Sequence, residues 1–170
     1  VTLRPNEGIF NNESLRRIEK IENEILEIDG VNQVLSILDA PIVEQPKVSL
    51  SEIGDNIKYL LDESIDLQKA KQEILSNPIY QELIVSKDGS TTAFQILLDK
   101  NESYEILIQQ RYDLLESDKP SALLEVNRKI NEQNSLIQEK EKRIVAEIRS
   151  VINNNSCLLY TSDAADDLRG

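Results

Sequence analysis

Apolar residues recur at steps of three and four in Leu15, Ile18, Ile21, Ile25 and Ile28. That spacing lines one stripe of an α-helix. Arg16, Arg17, Glu19, Lys20, Glu22 and Glu24 fall between them and make a solvated face. Asn11 and Asn12 suit the start of this helix, because a short amide side chain can accept from an unpaired backbone N–H of the first turn. Asp29-Gly30 suits its end, since Gly tolerates the left-handed position past the last turn. Residues 31–38 are rich in β-branched and aliphatic side chains and predict a strand that stops at Asp39-Ala40-Pro41. Residues 42–52 show no period and contain Pro46, which predicts a loop. Two short helices are expected next. The first spans residues 51–61, with Ile53, Ile57, Leu60 and Leu61 inward. The second spans 66–75, with Leu67, Ala70, Ile74 and Leu75 inward, and Asn77-Pro78 breaks it.

The pattern then changes to a period of two. Leu83-Ile84-Val85 and residues 91–98 predict two strands, with Asp88-Gly89 as the hairpin turn between them. Asn101 or Ser103 opens a helix carrying Tyr104, Leu107, Ile108, Tyr112 and Leu115. After Pro120, suited to a first helical turn, a long helix follows with Leu123, Val126, Ile130, Ile137, Ile144, Ile148 and Val151 on one side. The steps 123-130-137-144-151 are sevenfold, as in a coiled coil. The companion positions fall on Gln133 or Asn134 and on Glu141, too polar for a dry seam. The helix is therefore expected to lie across a sheet or to form a partly exposed hairpin arm. No repeat of 20 to 50 residues is present. The order strand, helix, strand, inserted helices, hairpin, long helix predicts an α+β fold. With one more strand it is an incomplete ferredoxin-like split βαβ subdomain.

Composition narrows the functions available. A formal net charge of -12 argues against a nucleic-acid binder, which needs cations against phosphate, and against docking on anionic lipid. There is no His, so this segment has no His-based triad, zinc–His site or His relay. The lone Cys157 forms no internal disulfide. No phosphate loop, nucleophile elbow or paired Cys is found. Asp62, Glu63 and Asp66, or Glu139 and Glu141, could be imagined as a calcium loop or a carboxylate pair, but solvated surface is the expected role. No catalytic, cofactor-binding or metal-binding residue is assigned, and no enzyme activity is expected. Lys142, Arg143 and Arg149 are expected to complement the dipole of the long helix. Tyr80, Tyr104 and Tyr112 could line a hydrophobic path, with ordinary packing preferred.

Three ordered blocks resemble the large extracytoplasmic loop of resistance-nodulation-division (RND) superfamily exporters of the MMPL-like branch. The first is Asp29-Gly30-Val31 with Ser36-Ile37-Leu38-Asp39-Ala40-Pro41. The second is Ile74-Leu75-Ser76-Asn77-Pro78-Ile79-Tyr80 with Leu83-Ile84-Val85-Ser86-Lys87-Asp88-Gly89 and Thr91-Thr92. The third is the charged helix ending Ile144-Val145-Ala146-Glu147-Ile148-Arg149. The resemblance implies a porter-type subdomain on the periplasmic side of a bacterial inner membrane. Its partners would be flanking transmembrane helices and a second porter-like domain of the same chain. It also implies proton-driven export of a hydrophobic or lipid-like substrate, with the proton-carrying residues in membrane helices outside this segment. The absence of Met and the strand-like opening Val1-Thr2-Leu3-Arg4-Pro5 fit an internal piece of a larger protein. Residues 157–166 resemble the translated read-through of a transposase-end sequencing adaptor. The expected organisation is thus a porter-like domain over 1–156, truncated at both ends, and a non-native tail over 157–170.

Overall fold

The computed structural model describes residues 1–44, 57–81, 83–115 and 119–155, and the backbone of 159–160. Strand β1, Thr2–Pro5, leads through a turn into helix α1, Asn12–Leu26. Asn11 caps this helix: its Oδ1 accepts from the Ser14 N–H at 2.8 Å and its Nδ2 donates to the Gly8 carbonyl at 2.9 Å. Leu15, Ile18, Ile21 and Ile25 are fully buried, as their spacing requires. The chain reverses at Gly30, with φ +98, into β2, Val31–Leu35.

The strand expected over residues 31–38 stops three residues early, and Ile37–Asp39 form a 3-10 turn. Two side chains cause this. The Leu38 N–H donates to Ser36 Oγ at 3.1 Å, and the Ser36 N–H donates to Asp39 Oδ2 at 2.7 Å. This reciprocal cap satisfies backbone groups that a strand would need a neighbour to satisfy. Residues 45–56 lie outside the described part, and with them most of the expected loop over 42–52 and of the helix over 51–61. The rest of that helix is not helical. Lys58 bridges Ile42, and residues 60–61 turn, with the Tyr59 N–H donating to Asp62 Oδ2 at 2.7 Å. Leu60 is buried all the same. Helix α2, Leu67–Ser76, forms where expected, with the Asp66 carboxylate accepting from the N–H groups of Gln68 and Lys69. Ala70 and Ile74 are its buried residues.

The expected hairpin is reduced to its turn. Gly89, φ +68, closes the loop, with its N–H donating to the Ser86 carbonyl at 2.8 Å and the Ser86 N–H donating to the Thr91 carbonyl at 2.9 Å. Residues 83–84 are themselves in a turn, because the N–H groups of Ile84 and Val85 both donate to the Tyr80 carbonyl. Of the first strand, Val85 bridges Thr92 and Gln81, and the Ile84 carbonyl accepts from the Ala93 N–H at 2.8 Å. The second strand divides at the buried Phe94 into β3, Thr92–Ala93, and β4, Gln95–Leu98.

Helix α3, Glu102–Leu115, and helix α4, Pro120–Asn154, complete the described helices. Asn101 accepts from the Tyr104 N–H at 3.0 Å to start α3. Pro120 opens α4 at a position where a missing N–H costs nothing. The backbone of Leu159–Tyr160 forms β5. One sheet has the order β3-β1-β5 and the other pairs β2 with β4, with every neighbour antiparallel. The fold is therefore mixed α+β with short strands and a long C-terminal helix.

The core joins α1, β1, α2 and the second half of α4 through Leu3, Ile21, Ile74, Ile144, Ile148 and Ile152. Each fully buried aliphatic side chain stabilises this layer by about 1.5–3 kcal/mol. The first half of α4 leaves that core. Its Val126 and Ile130, each 8% exposed, belong to a separate contact with α3, which itself has no fully buried residue. α3 and the first half of α4 make a two-helix arm, while the second half of α4 lies against α1. Of the sequence alternatives, the exposed hairpin arm describes the first half of α4, while the second half packs on helix α1 rather than across a sheet.

Candidate functional site

The arm meets the body at a cleft of about 500 Å³ whose lining includes Gly30, Leu98, Asn101, Ile137, Lys140 and Ile144. Its position follows from the chain path. β2 begins and β4 ends here, α3 begins here, and α4 passes at its midpoint. Gly30 is required by both conformation and space. At φ +98 an L side chain is strained, and a Cβ would lie 2.4 Å from Lys140 Cε and 2.8 Å from Ile144 Cδ1. The Asp99 N–H donates to the Gly30 carbonyl at 2.9 Å and closes the strand pair against the helix.

Two ion pairs cross the junction. Lys140 Nζ stands 3.9 Å from Asp99 Oδ2, and Arg143 Nη2 donates to Asp29 Oδ2 at 2.7 Å. The hydrogen bond from Arg143, assisted by the positive charges of Lys140 and Arg143, holds the Asp29 carboxyl below its ordinary range. The same bond raises the Arg143 guanidinium. This corrects the expected role of Arg143. It lies 11 positions before the end of α4, whereas a helix dipole acts within the last turn, and the last turn contains no basic residue. Gln133 and Glu141, polar positions of the heptad, lie where α4 passes from α3 to the body, but their polarity by itself does not say which neighbour lies on either side.

The other candidates are dispersed. Asp66 caps α2 and Asp62 holds a turn, so each carboxylate accepts from local backbone N–H groups. Glu139 and Glu141 are exposed on α4. Among the described residues no group of three or more Asp, Glu, His or Cys side chains could hold a metal ion. Tyr80 is half-buried against the core beside α2, where burial first and Glu73 second push its hydroxyl up. Tyr104 and Tyr112 lie on α3 in the arm, so the three do not line one path.

Two acidic groups are shifted by local structure. Asp88 is held at about 2 by hydrogen bonds from the Ser86 hydroxyl and from the backbone and hydroxyl of Ser90. Glu22 is raised, mainly by burial and further by the negative charges of Asp39 and Glu19, against a 2.8 Å hydrogen bond from the Ser36 hydroxyl. The root cleft is lined by apolar residues such as Leu98, Ile137 and Ile144 and by charged ones such as Lys140, and it joins the arm to the body. No described helix is long and apolar enough to cross a membrane. The chain matches no family model, no curated protein and no solved structure.

Proposed function

We propose that residues 1–156 form the extracytoplasmic, porter-like subdomain of a proton-driven RND-superfamily exporter of the MMPL-like branch. The observation that carries this reading is the strand pairing. Residues 92–93 pair with β1 and residues 95–98 pair with β2, in one continuous run of chain. Read as one strand bent at Phe94, that run gives the order β5, β1, β3/β4, β2 with every neighbour antiparallel. α1 and α4 pack against each other. That order supports a split βαβ pattern of the ferredoxin-like kind. The turns of the resembling blocks support it: Gly30 and Gly89 both have positive φ, and Asn77 ends α2.

In this reading the subdomain captures or passes a hydrophobic or lipid-like substrate by rocking against a second porter-like domain. Membrane helices of the same protein, in the bacterial inner membrane, supply the proton coupling. The natural sequence after Ser156 then supplies the edge strand whose place Leu159 and Tyr160 hold against Arg4 and Pro5. The test is the reading frame around this segment in its source DNA. A membrane-spanning helix is expected shortly before Val1 and another shortly after Ser156. A frame with no such helix on either side overturns the proposal.

The projecting arm favours a second reading, a non-enzymatic interaction module. Ile106, Tyr112, Leu115 and Leu124 are all more than half exposed on it. A frame without membrane spans, together with a partner lost when residues 101–138 are replaced by a short flexible linker, would select this reading. Retention of that partner without the arm would rule it out.

A further inference from the structure

We infer that Glu22, Ser36 and Asp39 form an acid-closed latch between α1 and the turn that ends β2. A proton taken up at Glu22 fastens the turn to the helix, and its loss at higher pH lets the turn open. The inference does not depend on the exporter reading. It rests on two carboxylates that converge on one buried serine with no cation paired to either.

Ser36 is the centre of the arrangement and is fully buried. Its hydroxyl donates to Glu22 Oε2 at 2.8 Å, and its N–H donates to Asp39 Oδ2 at 2.7 Å. The same Oγ accepts from the Leu38 N–H at 3.1 Å. One side chain therefore ties the turn to α1 and also caps it. The turn is able to respond because these caps hold it, whereas the pairing of β2 with β4 ends at Leu35.

The charges around Glu22 are of one sign. Among the described residues neither Glu22 nor Asp39 is paired with a Lys or Arg. The cations of α1 nearest in sequence are engaged elsewhere, Lys20 with Glu24 and Arg17 with Glu13. Asp39 from the turn and Glu19 from α1 itself both act on Glu22, and both are negative. β2 carries no charged residue. α4 also packs on α1, and its side chains there reach Glu24, through Asn155, and Asp29, through Arg143. The cleft lined by Glu19 adds Asp62 and Glu63, with Arg16 as the cation in its lining.

A half-buried carboxylate among like charges keeps its proton to higher pH, because burial penalises the charged form and like charge repels it. Burial is the largest influence and raises the Glu22 carboxyl above 4.5. The Ser36 hydrogen bond opposes it, and Asp39 and Glu19 add to it. A neutral carboxyl still has an acceptor oxygen for the Ser36 hydroxyl, so the proton removes repulsion without removing that bond. When the turn opens, Glu22 returns to water and to its ordinary value. Closure is therefore strongest below 4.5, weakens as pH rises above 4.5, and levels off past the raised value. The opening constant rises by about tenfold for each pH unit between the two values.

Carboxyl-carbon NMR titration of Glu22 and amide exchange of residues 36–40, both in the full chain, test this. The Glu22 midpoint is expected above 4.5. The Leu38 N–H donates to Ser36 and the Ala40 N–H to the Ile37 carbonyl, so both report on the turn. Their protection, corrected for the direct effect of pH on exchange, should fall as pH rises from 4.5 through the Glu22 midpoint. Asp39→Asn keeps an acceptor for the Ser36 N–H and should lower the Glu22 midpoint. Glu22→Gln should make the protection of Leu38 and Ala40 independent of pH over that range. A Glu22 midpoint at or below 4.5 overturns the inference, as does protection that stays flat in the unsubstituted chain. So does a midpoint that Asp39→Asn leaves unchanged, or a loss of protection that persists in Glu22→Gln.

Discussion

At single positions, the backbone and the charges make separable demands. Gly8 and Gly30 both have positive φ, but a Cβ at Gly8 meets nothing within 4 Å, while one at Gly30 meets α4. Gly8→Ala is expected to cost about 1 kcal/mol from conformation alone. Gly30→Ala should cost more, about 2–3 kcal/mol, because Ile144 must also move. Urea denaturation of the two variants measures the difference, and equal costs would contradict the close approach. The acidic groups set the pH response. Asp88 has a lowered value, so its contribution to stability is complete above its ordinary 3.8 and is lost as pH falls toward about 2. Glu22 has a raised value, so its ionisation opposes folding. Its cost is absent below its ordinary 4.5 and grows as pH rises through the raised value. Asp88→Asn should therefore flatten the stability profile between pH 3.8 and about 2. Glu22→Gln should stabilise at neutral pH, with the gain vanishing near pH 4.5. Denaturation midpoints across that range check both signs.

At the level of elements, α4 is one continuous helix with two environments. Ile144 is 1% exposed in the shared core, whereas Ile130 is 8% exposed and contributes only to the arm. Ile144→Ala should cost about 2–5 kcal/mol of global stability. Ile130→Ala should cost less and should loosen the arm alone. Amide exchange is expected to be faster in α3 than in α1, since a helix with no fully buried residue can open without disturbing the core. Equal protection of α1 and α3 in dilute solution would show instead that arm and body open together. The caps are local and act on their own helices. Asn11→Ala removes the acceptor for the Ser14 N–H and should cost about 1 kcal/mol by thermal or chemical unfolding.

At the scale of the whole molecule, the arrangement depends on where strand pairing changes partners. The buried Phe94 stands between β3, which joins β1, and β4, which joins β2. The sequence pattern over residues 91–98 reads as one strand, and nothing local indicates that its two ends serve different neighbours. The same limit explains the lost hairpin. Leu83-Ile84-Val85 has strand composition, but the Tyr80 carbonyl captures two of its N–H groups and leaves Leu83 71% exposed. β-propensity expresses fit to a half-buried surface, and that surface did not form at Leu83.

Helices α1, α2, α3 and α4 were legible because a 3.6-residue period, a cap and a terminating residue are all local features of the chain. Asn11, Asp66, Asn101 and Pro120 act at helix starts as their chemistry dictates. The inward residues of α1 and α2 follow from the same period. Strand limits were less legible, because side-chain capping at Ser36 and Asp39 competed with pairing. The root cleft was not legible at all. Its parts come from residues 30, 98–103 and 133–144, and only packing brings them together. Sequence alone thus determined α1, α2, α3 and α4, where they begin and which residues of α1 and α2 turn inward, since those depend on bonds and contacts within a few residues, but it also marked residues 57–61 as helical where they are not. Tertiary structure decided the exchange of strand partners at Phe94, the division of α4 between arm and body, and the pairing of Arg143 with Asp29. Each of those depends on long-range contacts that no local pattern encodes.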